Sequence, residues 1–310
     1  MRAVPVSSRE MKILVSGPNG LIGARLVSRL SGEGHDVIPL SRAPGPGRIG
    51  WDPAAGRLDT SAMSGLDGII HLAGESIAGG RWTGARREAI RRSRVDGTRL
   101  LARAAAALRP RPSFFLLASA QGFYGDRGDT PVDETASPGS GFLADVCREW
   151  EAAADPARQA GIRTVPLRIG LVLTPEGGAL RQMLLPFRLG LGAPLGSGRQ
   201  YWSWITLDDL LGAFDHLIRT ATLEGPVNGV TGAVTNRDFT RALAAALGRW
   251  TIPAVPRPLL RLLLGEMADA LLLTSTRSVP RLLTESGFRW SDPELAPALR
   301  RLLHAGSRAC

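Results

Sequence analysis

A chain of 310 residues with 44% hydrophobic and 21% charged residues is globular in composition, and long enough for one large α/β domain with a smaller lobe or for two domains. Its formal charge of +10 suggests nucleic acid, but of the 38 Lys and Arg residues only Lys12 is a lysine, so arginine is a habit of the whole chain and not a patch. The densest basic run, from Arg81 to Arg103, has the spacing of a solvated helix face and lacks the interleaved aromatics of a strand-binding groove, which argues against a nucleic-acid partner.

In chain order, residues 1–10 carry no pattern and read as a disordered arm before Met11. Residues 12–16 are a short apolar run that leads into Gly17-Pro18-Asn19-Gly20-Leu21-Ile22-Gly23. An amphipathic segment follows, with Leu26, Val27 and Leu30 apolar and Arg25 and Arg29 between them. That order is strand, tight turn, helix. Gly17 lets the chain turn sharply off the strand, Gly20 lets the backbone approach a pyrophosphate, and Gly23 lets the helix pack on the sheet. The free N–H groups of the helix start, from Asn19 through Gly23, face the anion.

Residues 37–40 form the second strand, which ends in Ser41-Arg42. A free ribose 2′-hydroxyl is usually held here by Asp or Glu, and a 2′-phosphate by arginine. No carboxylate follows until Asp52, and Asp36 lies at the wrong end of the strand. Arg42 offers a forked donor pair, so NADP(H) is the expected cofactor over NAD(H). Residues 43–50 are a Pro/Gly-rich loop and 49–51 a short strand. Residues 67–74 are a strand running into a turn, where Ala73 and Gly74 are small enough to admit the adenosine half of the cofactor. His71 within that strand reads as a packed core residue.

Residues 83–108 are a long helix, stopped by Pro110 and Pro112. Residues 113–119 are almost wholly apolar, as a central parallel strand is. The loop 120–126 lies at its carboxyl end, where open α/β sheets hold ligands, so Ser119 and Tyr124 are hydroxyls positioned by topology. A helix over 142–160 and a strand over 162–173 complete a dinucleotide-binding domain, 11–173. Residues 174–310 form a substrate lobe, some of whose segments return to the first domain, and 236–303 are mostly helical. Trp202 and Trp204 are expected to wall the substrate pocket or to pack the lobe boundary. The apolar stretch 258–273 is broken by Arg261, Glu266 and Asp269, so it is no membrane span and no membrane partner is expected. Cys147 and Cys310 have neither metal spacing nor a disulfide framework, which fits a reducing cytoplasm. The four histidines give no metal cluster and no Ser-His-Asp order.

Several separated motifs agree in order: Gly17 to Gly23, Ser41-Arg42, Leu72-Ala73-Gly74-Glu75-Ser76-Ile77, Arg81-Trp82-Thr83, Ser93-Arg94, Ser119 through Asp126, Trp150-Glu151, and Pro186 to Gly192 with Gly196 to Gln200. In these the chain resembles the extended short-chain dehydrogenase/reductases over residues 11–303, and more narrowly their atypical, epimerase-like branch. The resemblance implies a Rossmann-type doubly wound parallel sheet with a smaller, mostly helical C-terminal lobe. It implies that Ser41 and Arg42 hold the 2′-phosphate of NADP(H), that Leu72 and Ala73 line the adenosine side, and that Arg94 sits near the cofactor phosphates or ribose. Gly74, Glu75 and Arg168 join the expected cofactor-binding set.

A reductase of this superfamily binds the substrate carbonyl with a serine and moves the proton with a tyrosine, whose pKa a lysine four residues on lowers. This chain departs from the pattern. Four residues after Tyr124 and Tyr201 stand Gly128 and Ile205, and Phe142-Leu143 and Val146-Cys147 fall where the pair belongs. The atypical branch shares that loss. Ser119 aligns with the superfamily serine and is the expected substrate hydrogen bond. Tyr124 is the nearest phenol and the expected acid, or else it packs beneath the nicotinamide. Cys147 faces the site from its helix or else is buried and inert, and Asp126, Asp145 and Glu151 are proton carriers in reach, or else caps and surface charges. The expected function is an NADP(H)-dependent oxidoreductase or epimerase-like enzyme acting on a small carbonyl, alcohol or activated alkene. The alternative is a catalytically silent NADP(H)-binding sensor or scaffold. By analogy with the family, the helices 83–108 and 142–160 offer a homodimer interface.

Overall fold

The computed structural model describes residues 10–43, 45 and 47–305. The expected N-terminal arm falls outside them apart from Glu10, as does Cys310. From the amino end, β1 (Lys12–Ser16) is followed by α1 (Leu21–Gly32), β2 (Asp36–Ser41), β3 (Ile49–Asp52), β4 (Arg57–Leu58) and β5 (Gly68–His71). Next come α2 (Gly84–Ala107), β6 (Phe114–Ala120), β7 (Pro131–Val132), α3 (Phe142–Ala152), α4 (Asp155–Gln159), β8 (Arg163–Ile169) and β9 (Leu171–Leu173). The chain continues with α5 (Gly178–Arg188), β10 (Tyr201–Thr206), α6 (Leu207–Arg219), β11 (Val227–Gly229), β12 (Gly232–Thr235) and α7 (Asn236–Ala246). It closes with α8 (Arg257–Leu264), β13 (Arg277–Ser278), α9 (Arg281–Glu285) and α10 (Leu295–Ala305).

Eight strands make one sheet in the order β11-β8-β6-β5-β1-β2-β3-β4, parallel except at the β3/β4 edge. Successive side chains go to opposite faces. Ile13 and Val15 of β1 share a core with Leu26 and Leu30 of α1 and Leu210 and Phe214 of α6. Leu14 shares the opposite core with Leu101 and Ala105 of α2, Trp150 of α3 and Ala157 of α4. Phe114 and Leu116 of β6 divide from Phe115 and Leu117 in the same way. Both faces are covered by helices, which is why these strands read as unbroken apolar runs. The fold is therefore the doubly wound α/β sheet expected from the sequence. The chain winds outward through β2 on one side of β1 and through β6 on the other side of β5, so a crevice opens at the carboxyl ends of β1 and β5.

The lobe is built on a second sheet, ordered β12-β10-β9, with Leu180, Leu184, Trp202, Trp204, Phe239 and Leu299 in its core. Trp202 and Trp204 are 9% and 2% exposed, so they pack the lobe and wall no pocket. Trp202 lies against Phe239 with ring centres 5.3 Å apart.

Two elements expected to be continuous are divided. The strand over 162–173 breaks at Gly170, where a Cβ would stand 2.6 Å from the Ser203 carbonyl oxygen, so β8 stays in the large sheet while β9 pairs with β10. The helix over 142–160 breaks ahead of Pro156, which has no N–H to continue the helical ladder. α6 and β11 return from beyond residue 173 to complete one core and one edge of the large domain. No helix among the described residues is long and apolar enough to cross a membrane.

Candidate functional site

Glycines shape the crevice between β1 and β5. Gly17 sits at φ +71°, and a Cβ there would lie 3.0 Å from the Ala73 nitrogen, so only glycine lets the turn pass this close to the end of β5. At Gly23 a Cβ would stand 2.0 Å from the Gly17 carbonyl oxygen. Gly20 caps α1 without any side-chain bond, and Ala24 is the first residue to find a helical acceptor, Gly20 O at 2.9 Å. The N–H groups of Leu21, Ile22 and Gly23 therefore point out of the helix start, beside exposed Asn19. With no carboxylate in the first turn of α1, this cradle fits a pyrophosphate.

Ser16, which the sequence reading passed over, locks the crevice from below. Its Oγ accepts the N–H groups of Leu72 (3.0 Å) and Ala73 (3.2 Å) and stands 2.6 Å from His71 Nδ1. Two donors already fill the hydroxyl's lone pairs, so its own proton points to Nδ1 and the ring proton of His71 belongs on Nε2. Burial holds the His71 pKa down to about 3, helped by the charge of Arg94, so the ring is neutral. His71 is fully buried between Trp51 and Phe115, and its Nε2 has no hydrogen-bond partner among the described residues.

Around this turn the other expected cofactor residues gather. Ser41 is buried at the end of β2, its Oγ accepting from the Ala43 N–H at 3.2 Å. Arg42 beside it is exposed and has no side-chain partner among the described residues. Leu72 and Ala73 are half-buried and Gly74 is exposed. Arg94 packs under Gly74: its Nη1 donates to the carbonyls of Glu75 (3.0 Å) and Ile90 (3.1 Å), and its guanidinium lies 5.1 Å from the Trp150 ring centre. Burial lowers the pKa of Arg94. The Glu75 carboxylate turns away to Arg86, at 2.8 Å.

The carboxyl ends of β6 and β8 are built differently. Ser119 Oγ donates to Glu151 Oε1 at 2.6 Å, and Arg168 clamps the same carboxylate through Nε and Nη2, both at 2.9 Å. Arg168 Nη1 donates to the Tyr124 hydroxyl (3.0 Å), which donates to Asn228 Oδ1 (2.8 Å). Gln121 Nε2 donates to the Arg168 carbonyl at 2.6 Å. Every one of these residues is at most 8% exposed. Burial is the largest influence on Arg168 and works against its charge, but the hydrogen bonds and charge of Glu151, with Tyr124 adding, together outweigh it and raise the pKa.

Three expectations change here. Arg168 does not reach the cofactor crevice, because its guanidinium is buried against Glu151 and 3.4 Å from the Phe123 ring centre. Tyr124 is not poised as an acid: it is 0% exposed, both of its hydrogen bonds are internal, and burial raises its pKa. Glu151 is no surface charge or cap; it fixes the hydroxyl of Ser119. An ionised carboxylate only accepts, so the Ser119 proton is committed to it and Ser119 Oγ turns lone pairs, not a donor, to the cleft.

On α3, Leu143 and Cys147 stand one turn apart and both approach Gly122, where a Cβ would lie 3.2 Å from Leu143 Cβ and 3.7 Å from Cys147 Sγ. Of the residues expected where the pair belongs, these two are the ones that face Gly122. Neither exchanges a proton near neutral pH, since burial, with the Glu151 charge adding, pushes the Cys147 thiol up to about 12. Asp126 accepts from the Gly128 N–H (3.0 Å) and Asp145 pairs with Arg148 (2.9 Å), both local roles. Two cavities lie outside this cleft. One of about 550 Å³ is bounded by Val132, Asp133, Thr135, Arg281 and Thr284; the other, of about 580 Å³, lies between residues 126–129 and the lobe, bounded by Gly196, Arg199, Gln200 and Arg257.

Known proteins share this plan. The NAD dependent epimerase/dehydratase family matches residues 13–228, and a domain of unknown function, DUF1731, matches 255–302. The epimerase family protein MT2273 of Mycobacterium tuberculosis is 41% identical over 291 residues, covering 93% of this chain and 96% of that protein. The epimerase family protein SDR39U1 of Bos taurus is 39% identical over 301 residues, 94% of this chain and all of its own length (100%). The crystal structure of human SDR39U1 (isoform 2) with NADPH superposes with a TM-score of 0.85 at 35% identity, over 95% of this chain and 99% of that one.

Proposed function

Because the chain belongs to the NAD dependent epimerase/dehydratase family, we propose that it is an NADP(H)-dependent enzyme moving a hydride on a small carbonyl, alcohol or activated alkene. The observation that carries the reading is the open start of α1, with a free arginine at the end of the next strand, β2, and no carboxylate beside it. The turn from Gly17 to Gly23 holds the pyrophosphate, Ser41 and Arg42 hold the 2′-phosphate, and Leu72 to Gly74 lie along the adenosine, with Arg94 beneath. The human relative crystallised with NADPH supports this choice of cofactor. A bound nicotinamide supplies or accepts the hydride.

The residues of the chain then limit the rest of the chemistry. Ser119 Oγ accepts, so it holds a substrate hydroxyl better than a bare carbonyl, and Glu151 positions it. Leu143 and Cys147 keep the face beside Gly122 apolar and free of charge. The accompanying proton passes through water or the substrate itself. One observation favours the second reading, an NADP(H)-binding sensor or scaffold without turnover: burial raises the pKa of both Tyr124 and Cys147, the phenol beyond β6 and the thiol on α3.

Turnover separates the two. NADPH oxidation with a panel of carbonyls and enones, and NADP⁺ reduction with the matching alcohols, should reveal a substrate whose rate falls roughly 10- to 100-fold in Ser119→Ala. NADPH binding with no turnover in either direction across the panel would make the sensor reading the correct one.

A further inference from the structure

Charge and apolar exposure are segregated in the lobe. The chain has 28 Asp and Glu residues, yet none lies in 177–207 or in 239–265, while seven arginines do. The two segments run side by side: Arg249 Nε donates to the Arg188 carbonyl (3.0 Å), the Ile252 N–H to Gly192 O (2.9 Å) and the Val255 N–H to Pro194 O (2.8 Å). Eight of the nine large hydrophobic side chains that stand exposed among the described residues belong to them, Trp250 at 82%, Leu262 at 72% and Leu185 at 67% foremost. Arg181, Arg188, Arg199, Arg249 and Arg257 are exposed there and pair with no carboxylate among the described residues. Singly exposed leucines are ordinary, but a ribbon of them among unpaired arginines marks an interaction surface.

We propose that this face of the lobe docks on an anionic lipid bilayer, lying on the surface and not crossing it. The charge is complementary to anionic headgroups, and a tryptophan among leucines is suited to the boundary between headgroup and acyl chain. A second copy of the chain is a poor occupant, because a two-fold interface would set this arginine-bearing face, with no carboxylate in either segment, against itself. Of the five unpaired arginines, Arg199 and Arg257 also bound the second cavity described above, whereas none of the eight exposed apolar side chains lines either cavity.

The test is flotation of the full chain with vesicles of phosphatidylcholine alone and of phosphatidylcholine mixed with phosphatidylglycerol. Two double variants accompany it, Arg188→Ser with Arg249→Ser and Leu189→Ser with Trp250→Ser. The protein should float with the anionic vesicles only, less so as salt rises. The arginine variant should partition roughly 30-fold less, given what each of two basic residues contributes near such a surface. The apolar variant should lose binding as well, and both should bind NADPH as the parent does, which shows that they fold. Absence from the anionic vesicles, equal partition onto neutral ones, or variants that float like the parent would overturn the proposal. Retention on poly-glutamate without flotation would do so too, and would give the face to an acidic protein.

Discussion

The two ends of the cleft treat polar groups in opposite ways. At the β1–α1 turn the N–H groups of the helix start and the Arg42 guanidinium are left open, over a floor tied down by Ser16 and His71. At the ends of β6 and β8 each polar side chain is tied to another one: Ser119 to Glu151, Glu151 to Arg168, Arg168 to Tyr124, Tyr124 to Asn228. Open donors in a cradle belong to a binding site, because a ligand can complete them. A closed network is mainly a scaffold, because a ligand that replaced any of its bonds would break one already made; what this one leaves to a substrate is the spare lone pair of Ser119 Oγ. Substitutions should divide accordingly, with losses of stability at the β6/β8 end and losses of affinity at the turn.

The largest effect on stability is expected at Glu151. Glu151→Ala leaves the Arg168 guanidinium buried without its carboxylate, which should cost about 3–5 kcal/mol in urea unfolding. A loss below about 1 kcal/mol would mean that water replaces the carboxylate and that this end is not closed.

A smaller effect follows from His71, and it has a sign. Its folded pKa is about 3 against an ordinary 6.5, so between those values the unfolded chain takes up a proton that the folded chain refuses. Stability should therefore fall as pH drops below 6.5 and be unaffected by this group above it. The His71 share of the loss at pH 5 should be about 2 kcal/mol. Urea unfolding at pH 7.5 and pH 5 measures it, as the difference between the parent and His71→Gln. A parent and variant with parallel pH profiles would contradict the buried neutral ring.

Much of the turn was legible in the sequence because its constraints are local. Gly17, Gly20 and Gly23 fall within seven residues, and the strand and helix around them fix what each must do. The exposed position of Arg42, directly after β2, was legible as well. The Ser119 network was not, because its members are far apart in the chain: Glu151 is 32 residues from Ser119, and Asn228 is 104 from Tyr124. Read alone, Glu151 is one more helix carboxylate and Arg168 one more arginine. Ser16 had a signal that went unused, since a hydroxyl at the end of β1 stands level with His71 on the neighbouring strand once the two are paired. Trp202 and Trp204 looked like pocket walls because aromatics near a strand end suit a ligand. The lobe instead has a core of its own to fill around Phe239. The break at Gly170 was invisible until the Ser203 backbone was known to pass against it.

The most direct measurement is a fluorescence titration with NADPH and with NADH, on the parent and on Arg42→Ala. The expected result is that the parent prefers NADPH and that the variant loses that preference, by roughly 30- to 100-fold, the worth of a forked charge-assisted contact to a phosphate. The variant should unfold within about 0.5 kcal/mol of the parent, as a free surface group does. Equal affinity of the parent for both cofactors, or an Arg42→Ala protein that still prefers NADPH, would contradict an open 2′-phosphate site at the end of β2. Binding of neither would make the glycine turn a structural element only.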